Sequence, residues 1–484
     1  MITIFLIAFP IVAGLITLLL KGETVKRFAF LLSLVELAAT LYAVFQFNPT
    51  TANPALGFNY PWIESLGISF AGNMDGISLL LVILTTLLVP VIILSTFDRS
   101  YANPSAFYAL ILFMEAGLVG VFTAADAFLF YLFWEAALIP VYFLAGVWGG
   151  ERRIQVTFKF FIYTIFGSLF MLLAMAYLYF QTPGMHSSSL EAFYALDLPA
   201  GTQAWVFWAL FIAFAIKMPV FPFHTWQPDT YAESPTPATM LLAGIMLKMG
   251  IYGVIRWLLP VVPAGVAQWG TTAIILSVIG IVYGSIIAIR QRDIKRILAY
   301  SSFAHVGLMS AGVFSLSTEG MQGAVVQMLA HGVNVVGLFF IAEIIGRRIN
   351  TRELAQMGGI TQNAPAMTVF FMILLLGSVA LPLTSGFVGE FLLLYGVFEF
   401  NPWYAAVAGL TIILSAVYML RLFQGTMFGE QNELTAGMND LTISEKVALF
   451  PLAFMVFWIG MYPAPFLKLT EPAVQNLLQQ VVQQ

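Results

Sequence analysis

The sequence predicts an all-α polytopic membrane protein with about fourteen transmembrane helices, and three observations carry that reading. The 484 residues are 60% hydrophobic and only 9% charged, with a mean hydropathy of +0.91. Apolar runs long enough to cross a bilayer, which needs about 20 residues each, recur along the chain. Lysine and arginine are distributed unevenly between alternate loops.

Composition comes first. A soluble domain carries about 25% charged residues, so a chain this poor in charge cannot cover a water-facing surface, and lipid is its main solvent. Cysteine is absent and histidine occurs four times. That excludes disulfides, thiolate-held zinc and cysteine-ligated iron–sulfur clusters, and it argues against a histidine metal centre. The net charge of −4 says little, because here the placement of charge matters more than its sum. The opening run from Ile2 to Leu20 has no basic segment before it and no small-residue cleavage site, so it reads as an uncleaved anchor.

Apolar runs place spans 1 to 14 near 2–20, 26–46, 75–96, 106–122, 124–148, 155–180, 204–226, 234–258, 268–289, 295–315, 320–345, 365–399, 402–428 and 444–463. Alternation of strand period is nowhere sustained, which excludes a transmembrane barrel. All of the 20 basic residues except Lys159, Lys217, Lys248, Arg256, Arg421 and Lys468 fall in loops after odd-numbered spans. Segments 47–73 and 181–203, both after even spans, hold none. By the positive-inside rule the odd loops face the cytoplasm and both termini lie outside. The basic loops themselves read as topological signals without chemistry. Lys159, Arg256 and Lys468 lie near enough to a span end to snorkel. Lys217 and Lys248 do not.

Those two lysines belong to a row of ionisable residues within the spans. Lys217 closes an apolar stretch of span 7 and is followed by Met-Pro-Val-Phe-Pro. Pro219 and Pro222 remove two backbone donors there and break the helix. Lys248 is central in span 8, and Glu135 is central in span 5, five residues before Pro140. Glu390 follows Leu381-Pro382-Leu383-Thr384-Ser385-Gly386, which interrupts span 12. His305 and His331 lie inside spans 10 and 11. A charged group at mid-membrane costs roughly 2.5–3.5 kcal/mol on insertion scales, so such groups persist only where they pair, hydrogen-bond or meet internal water. Burial disfavours the charged form of lysine and glutamate alike, and side chains poised in that way are what a proton relay requires.

One intramembrane Lys–Glu pair can also read as a polar clasp between helices, and either histidine alone reads equally well as a satisfied interior side chain. Two lysines, two glutamates and two histidines on six spans, two of them broken, are too many clasps. The row is therefore the candidate site. Glu115, Asp126 and Glu343 are weaker members, with Asp126 marking the junction of spans 4 and 5. Arg421 reads as a last fixed charge or a snorkelling arginine. Asp229 and Glu233, in the turn between spans 7 and 8, either gather protons or cap span 8. The Phe, Met and Trp residues are packing or lipid-facing.

Span 7 is the fourth of spans 4–8, span 12 is the fourth of spans 9–13, and both are broken. Corresponding broken helices in two halves point to inverted repeats. The expected division is 1–100 for spans 1–3, 101–260 for the first five-helix repeat, 261–430 for the second and 431–484 for span 14 and a tail. The Gln-rich stretch Glu471–Gln484, weakly amphipathic, is given no role.

Several stretches also resemble a known family. They are Phe221-Pro222-Phe223-His224-Thr225-Trp226 through Pro235-Thr236-Pro237, Leu247-Lys248-Met249-Gly250-Ile251-Tyr252-Gly253, Phe133-Trp134-Glu135, Asp293 through Ser302, and Gly386-Phe387-Val388-Gly389-Glu390-Phe391. Together they resemble the antiporter-like membrane subunits of respiratory complex I over nearly the whole chain. Within that family the chain is most similar to subunit M, with glutamate in broken span 12 where several relatives carry lysine. It ends too soon for the long lateral helix of the subunit L type.

The resemblance implies a proton-translocating subunit of NADH–quinone oxidoreductase in the bacterial inner membrane. Lys217 would be the central carrier and Glu135 its partner. Lys248, His305 and His331 would relay protons, and Glu390 would be the last group before release. NAD, FMN, iron–sulfur clusters and quinone would reside in partner subunits, and L-, N- and K-like membrane subunits would connect this chain to the peripheral redox arm. No nucleic-acid partner is expected. Tyr231 departs from the family pattern, where histidine is frequent, and that touches only proton collection at the cytoplasmic side. Two other readings compete. One is a multisubunit Na+/H+ antiporter or membrane-bound hydrogenase subunit, and the other a passive scaffold with inert polar clasps.

Overall fold

The computed structural model describes residues 1–49 and 56–482. Thirteen helices among them are long and apolar enough to cross a membrane. Spans 1 to 6 are Ile2–Leu19, Thr24–Gln46, Gly76–Leu94, Pro104–Thr123, Ala127–Trp148 and Arg153–Gln181. Spans 7 to 11 are Ala200–Lys217, Thr236–Leu258, Pro263–Arg290, Ile294–Phe314 and Thr318–Ile349. Spans 13 and 14 are Pro402–Met427 and Ile443–Met461. The segment read as span 12 is two half-helices, Pro365–Ser378 and Ser385–Phe400.

Burial sorts the spans. Spans 8, 10 and 11 are almost wholly enclosed, whereas spans 1, 2, 6 and 13 leave more than half of their residues partly or fully exposed, much of that surface Leu, Ile and Phe. A helix that is apolar all round belongs in an interior, and one with an exposed apolar face belongs against lipid or a neighbouring subunit. The central trio carries Lys248, His305 and His331.

Both breaks arise where the sequence removes helix hydrogen bonds. Span 7 stops at Lys217, two residues before Pro219. The carbonyl of Ile216, left without an intrahelical donor, accepts from the Trp226 indole at 2.9 Å. After turns, the short helix Gln227–Glu233 leads into span 8. In span 12 the break covers residues 379–384, where Ala380 and Leu383 adopt positive φ of 56° and 71°. Such values strain non-glycine residues. Thr384 offsets part of the loss by donating its hydroxyl to the Leu381 carbonyl at 2.6 Å, and Asn334 of span 11 donates to the Ser385 hydroxyl at 3.2 Å.

Glycines set the close approaches. A Cβ on Gly332 would lie 2.9 Å from the Gly244 carbonyl, so spans 8 and 11 nearly touch backbone to backbone, one residue from His331 and one turn from Lys248. A Cβ on Gly250 would lie 2.6 Å from the Met218 amide, which seats span 8 against the break after Lys217. Replacing Gly250 by Val should therefore cost about 1–3 kcal/mol of overpacking, or more where backbone must move. The expected result is a clear drop in assembled membrane complex on a native gel; wild-type amounts would show that the approach is looser than described.

Three features depart from the sequence expectation. Segment 47–73 holds an antiparallel hairpin, β1 Phe58–Ile63 and β2 Ile68–Gly72, with Phe58 paired to Gly72; residues 50–55 of that segment lie outside the described residues. The tail, given no role from sequence, falls in a helix, Ala464–Val482, packed on spans 3 and 11. Its buried Phe466, Thr470, Val474, Leu477 and Val481 form one stripe at helical spacing, a pattern masked in the sequence by the glutamines of the opposite face. Residues 483–484 lie outside the described residues.

The basic loops, finally, are more than topological marks. Arg152 pairs with Glu233 at 3.0 Å, Arg352 with Asp293 at 3.1 Å, and Arg347 with Glu445 at 2.6 Å. These bonds join loops after spans 5, 7, 9, 11 and 13 on one face, here the basic-loop face. The hairpin lies on the other.

Candidate functional site

Lys248, one of two lysines in the row, is wholly buried in span 8, flanked by two π-helical stretches, 242–246 and 254–258. Its Nζ donates to the Ala243 carbonyl at 2.7 Å and lies 2.9 Å from His331 Nδ1. π-bulges are frequent at functional sites because they change which backbone groups are free. The Gly244–Gly332 approach is what brings the two side chains within reach.

From His331 the row continues to His305, whose ring centroid is 6.0 Å away. Between the spans that carry them is a small cavity of about 10 Å³, lined in part by Ser302, His305, Gln327, His331 and Asn334. That is about the space one water occupies by the same measure, and the walls are polar enough to hold it. Among the described residues neither His305 Nε2 nor His331 Nε2 has a protein partner, and the Gln327 side-chain oxygen has none either. His305 Nδ1 lies 2.9 Å from Glu390 Oε1, and both side chains are buried. The two atoms are in ion-pair range, although the angles do not meet those of a hydrogen bond. Lys248, His331, His305 and Glu390 thus form one line across spans 8, 11, 10 and 12.

Lys217 is also buried, at 2% exposure. Its Nζ lies 5.1 Å from the centroid of the Trp134 ring, a cation–π distance, and no group among the described residues accepts a hydrogen bond from it. A buried ammonium without an acceptor must meet water or give up its proton. Glu135, next to Trp134, is within electrostatic reach, but no ion pair joins it to Lys217 among the described residues. The expected central pair is therefore held apart, and Glu135 is only half-buried, with one carboxylate oxygen unpartnered.

The remaining candidates sort by geometry. Asp126 caps span 5, accepting from the Phe128 and Leu129 amides at 2.9 and 3.2 Å, and it also anchors the hairpin through the Ser69 amide at 3.2 Å. Glu343 pairs with Arg99 and accepts from Thr236, a tie at the basic-loop end of span 11. Arg421 donates to the Ile289 carbonyl at the end of span 9.

Asp229 and Glu233 do not cap span 8, whose first helical residue follows Pro235 without a side-chain cap. Asp229 instead sits between Lys159 and Arg296, each 3.0 Å away. Partial burial pushes its carboxyl up, but the hydrogen bonds and charges of Lys159 and Arg296 outweigh that and hold it below the usual carboxylate range. A depressed carboxyl contributes stability that is present above the unfolded value, about 3.9, and lost as pH falls through the folded one. Asp229→Asn should thus lower activity by the same factor at every pH from 6 to 9. A wild-type to variant ratio that changes across that range would mean that Asp229 titrates as a proton collector.

Sequence reasoning passed over Glu36, Lys295, Gln327 and Asn334, and ranked Glu115 only as a weaker member of the row. Glu36 of span 2 and Glu115 of span 4 are wholly buried carboxylates that interact, with no hydrogen-bond partner among the described residues. Lys295, read as a loop residue, is buried in the first turn of span 10 and donates to the Ser234 carbonyl at 3.2 Å. Gln327 and Asn334 flank His331 at i−4 and i+3, and that polar face on span 11 was a usable signal.

The transmembrane NADH:quinone oxidoreductase/Mrp antiporter family matches residues 124–415. The chain belongs to this family. It is 40% identical to NADH-quinone oxidoreductase subunit M of Rickettsia conorii over 99% of this chain and 98% of that one. A chain of respiratory complex I from Thermus thermophilus superposes with a TM-score of 0.92 at 32% identity, covering 99% of this chain and all of the other. A chain of the Mrp complex from Dietzia matches with a TM-score of 0.85 at 20% identity, covering 99% of this chain and 52% of that one. This last likeness shows shared fold alone. As a member of the antiporter-like family, of the subunit M type, the chain is a multi-pass membrane protein.

Proposed function

We propose that this chain is the subunit M-type proton-translocating member of an NADH–quinone oxidoreductase. It moves protons from cytoplasm to outside while electron transfer from NADH to quinone proceeds in other subunits. The observation that carries this reading is the unbroken line Lys248–His331–His305–Glu390, in which each member lies within a hydrogen-bond distance of the next or across a one-water cavity.

In this mechanism Lys217 holds a proton beside Trp134, and the field of Glu135 sets how firmly. A change in the Glu135–Lys217 separation drives the proton toward span 8. Lys248 passes it to His331 Nδ1. The proton on His331 Nε2 then moves through cavity water to His305, and His305 Nδ1 hands its own proton to Glu390 for release. Imidazole suits the middle of the path because it accepts at one nitrogen while donating at the other. The breaks in spans 7 and 12 place helix ends beside Lys217 and near Glu390, where they stabilise charge and admit water. Spans 4–8 and 9–13 act as the two inverted repeats, between spans 1–3 and span 14 with its terminal helix.

The chain carries no redox centre of its own, and NAD, FMN, iron–sulfur clusters and quinone are bound by its partners. It sits in the bacterial inner membrane with the basic-loop face in the cytoplasm and both termini outside, next to L-, N- and K-like subunits. The test is purification of the native complex through a tag on this chain. Flavin, iron and NADH oxidation should co-purify. Small hydrophobic partners without flavin or iron would move the assignment to an Na+/H+ antiporter.

A further inference from the structure

A second polar system on span 8 lies outside this path. On the hairpin face a vestibule of about 500 Å³ descends between the hairpin and spans 3, 4 and 8, and its lining includes Asp75, Ser78, Tyr252 and Arg256. Tyr252 is one helical turn beyond Lys248, so the vestibule ends close to the centre of the relay. Here the arrangement of donors matters. The buried Tyr252 hydroxyl donates to the Phe122 carbonyl at 2.9 Å and lies 3.0 Å from Ser78 Oγ. A phenol has one proton, so with that proton on Phe122 it accepts from Ser78.

The hydrogen-bond chain entering from the vestibule therefore ends on a backbone carbonyl, which accepts but cannot pass a proton on. Arg256 pairs with Asp75, and its guanidinium lies 5.9 Å from the Tyr252 ring centroid. An arginine does not release its proton, so this pair braces the tyrosine without relaying. Lys248 Nζ meanwhile turns back along the helix toward Ala243, away from the tyrosine hydroxyl. Two polar systems on adjacent turns thus face apart.

We propose that Tyr252, fixed by Ser78 and the Phe122 carbonyl, is a proton stop that keeps vestibule protons from flowing back to Lys248. The inference rests on the proton-translocating reading above, and the assay is chosen to separate the two.

The whole complex is reconstituted in vesicles without NADH, and the decay of an imposed pH gradient is followed. Tyr252→Ala should raise the passive leak several-fold, and Tyr252→Phe, which keeps the plug, should stay near wild type. Tyr252→His removes little volume but replaces the dead end with a two-sided carrier, so it should leak even where the alanine variant assembles poorly. Adding Lys248→Met should abolish either leak. The proposal is overturned if the histidine variant, assembled normally, leaks no faster than wild type. It is also overturned if the leak persists beside Lys248→Met, because the route would then bypass the relay. Since no electron transfer is involved, failure here leaves redox-driven translocation standing, and failure of translocation leaves the leak result readable.

Discussion

Lys217→Met should reduce quinone-dependent NADH oxidation in sealed membranes by about a hundredfold or more, the scale ascribed to losing one positioned proton-transfer group, while leaving the complex assembled. Both halves follow from the surroundings of Nζ. No group among the described residues accepts a hydrogen bond from the lysine, so its removal orphans no buried acceptor there. Methionine has a similar reach and fills the same apolar space against Trp134. The stability cost is therefore small and the functional cost large. A scaffold with inert polar clasps predicts the reverse, unchanged turnover and at most altered assembly. Normal turnover in a well-assembled Lys217→Met complex would decide for the scaffold.

Lys248→Met should be equally damaging to turnover but should also reduce assembly. Its Nζ serves the Ala243 carbonyl and touches His331 Nδ1. Removing it leaves a buried carbonyl and an imidazole nitrogen without their partner, at roughly 1–3 kcal/mol for each group so orphaned. Lys248→Arg should not restore function, because a planar guanidinium cannot reproduce a point contact between two helices whose glycines already touch. The pair of variants is informative together. Equal assembly of Lys217→Met and Lys248→Met would show that the Ala243 and His331 contacts contribute nothing to holding the spans.

Most of the fold was legible because the bilayer leaves few choices. Apolar length placed most spans to within a few residues, although span 7 stops at Lys217 rather than near 226, and the two broken helices announced themselves, one through Pro219 and Pro222 and the other through Pro382. The row residues were legible for the same reason, since ionisable groups are conspicuous inside apolar runs. What stayed hidden depends on packing between distant segments. Nothing along the chain says that His305 meets Glu390, or that Gly244 and Gly332 bring Lys248 to His331. The positive φ of Ala380 and Leu383 is announced by neither residue, since neither is glycine. Glu36 stayed hidden because nothing in span 2 alone signals that its carboxylate is buried. Its partner, Glu115, comes from span 4. The hairpin over 58–72 is too short for alternation to register, and the terminal helix was hidden by its glutamine-rich outer face.

The central claim is that protons pass along the row rather than merely beside it. The most direct test is the number of protons translocated per NADH oxidised, measured in vesicles reconstituted with wild-type complex and with Glu390→Gln. Glutamine keeps the shape beside His305 but cannot take its proton. The account predicts a lower ratio in the variant, with electron transfer to an artificial acceptor in detergent unchanged. An unaltered ratio at equal turnover would mean that the protons leave by another path.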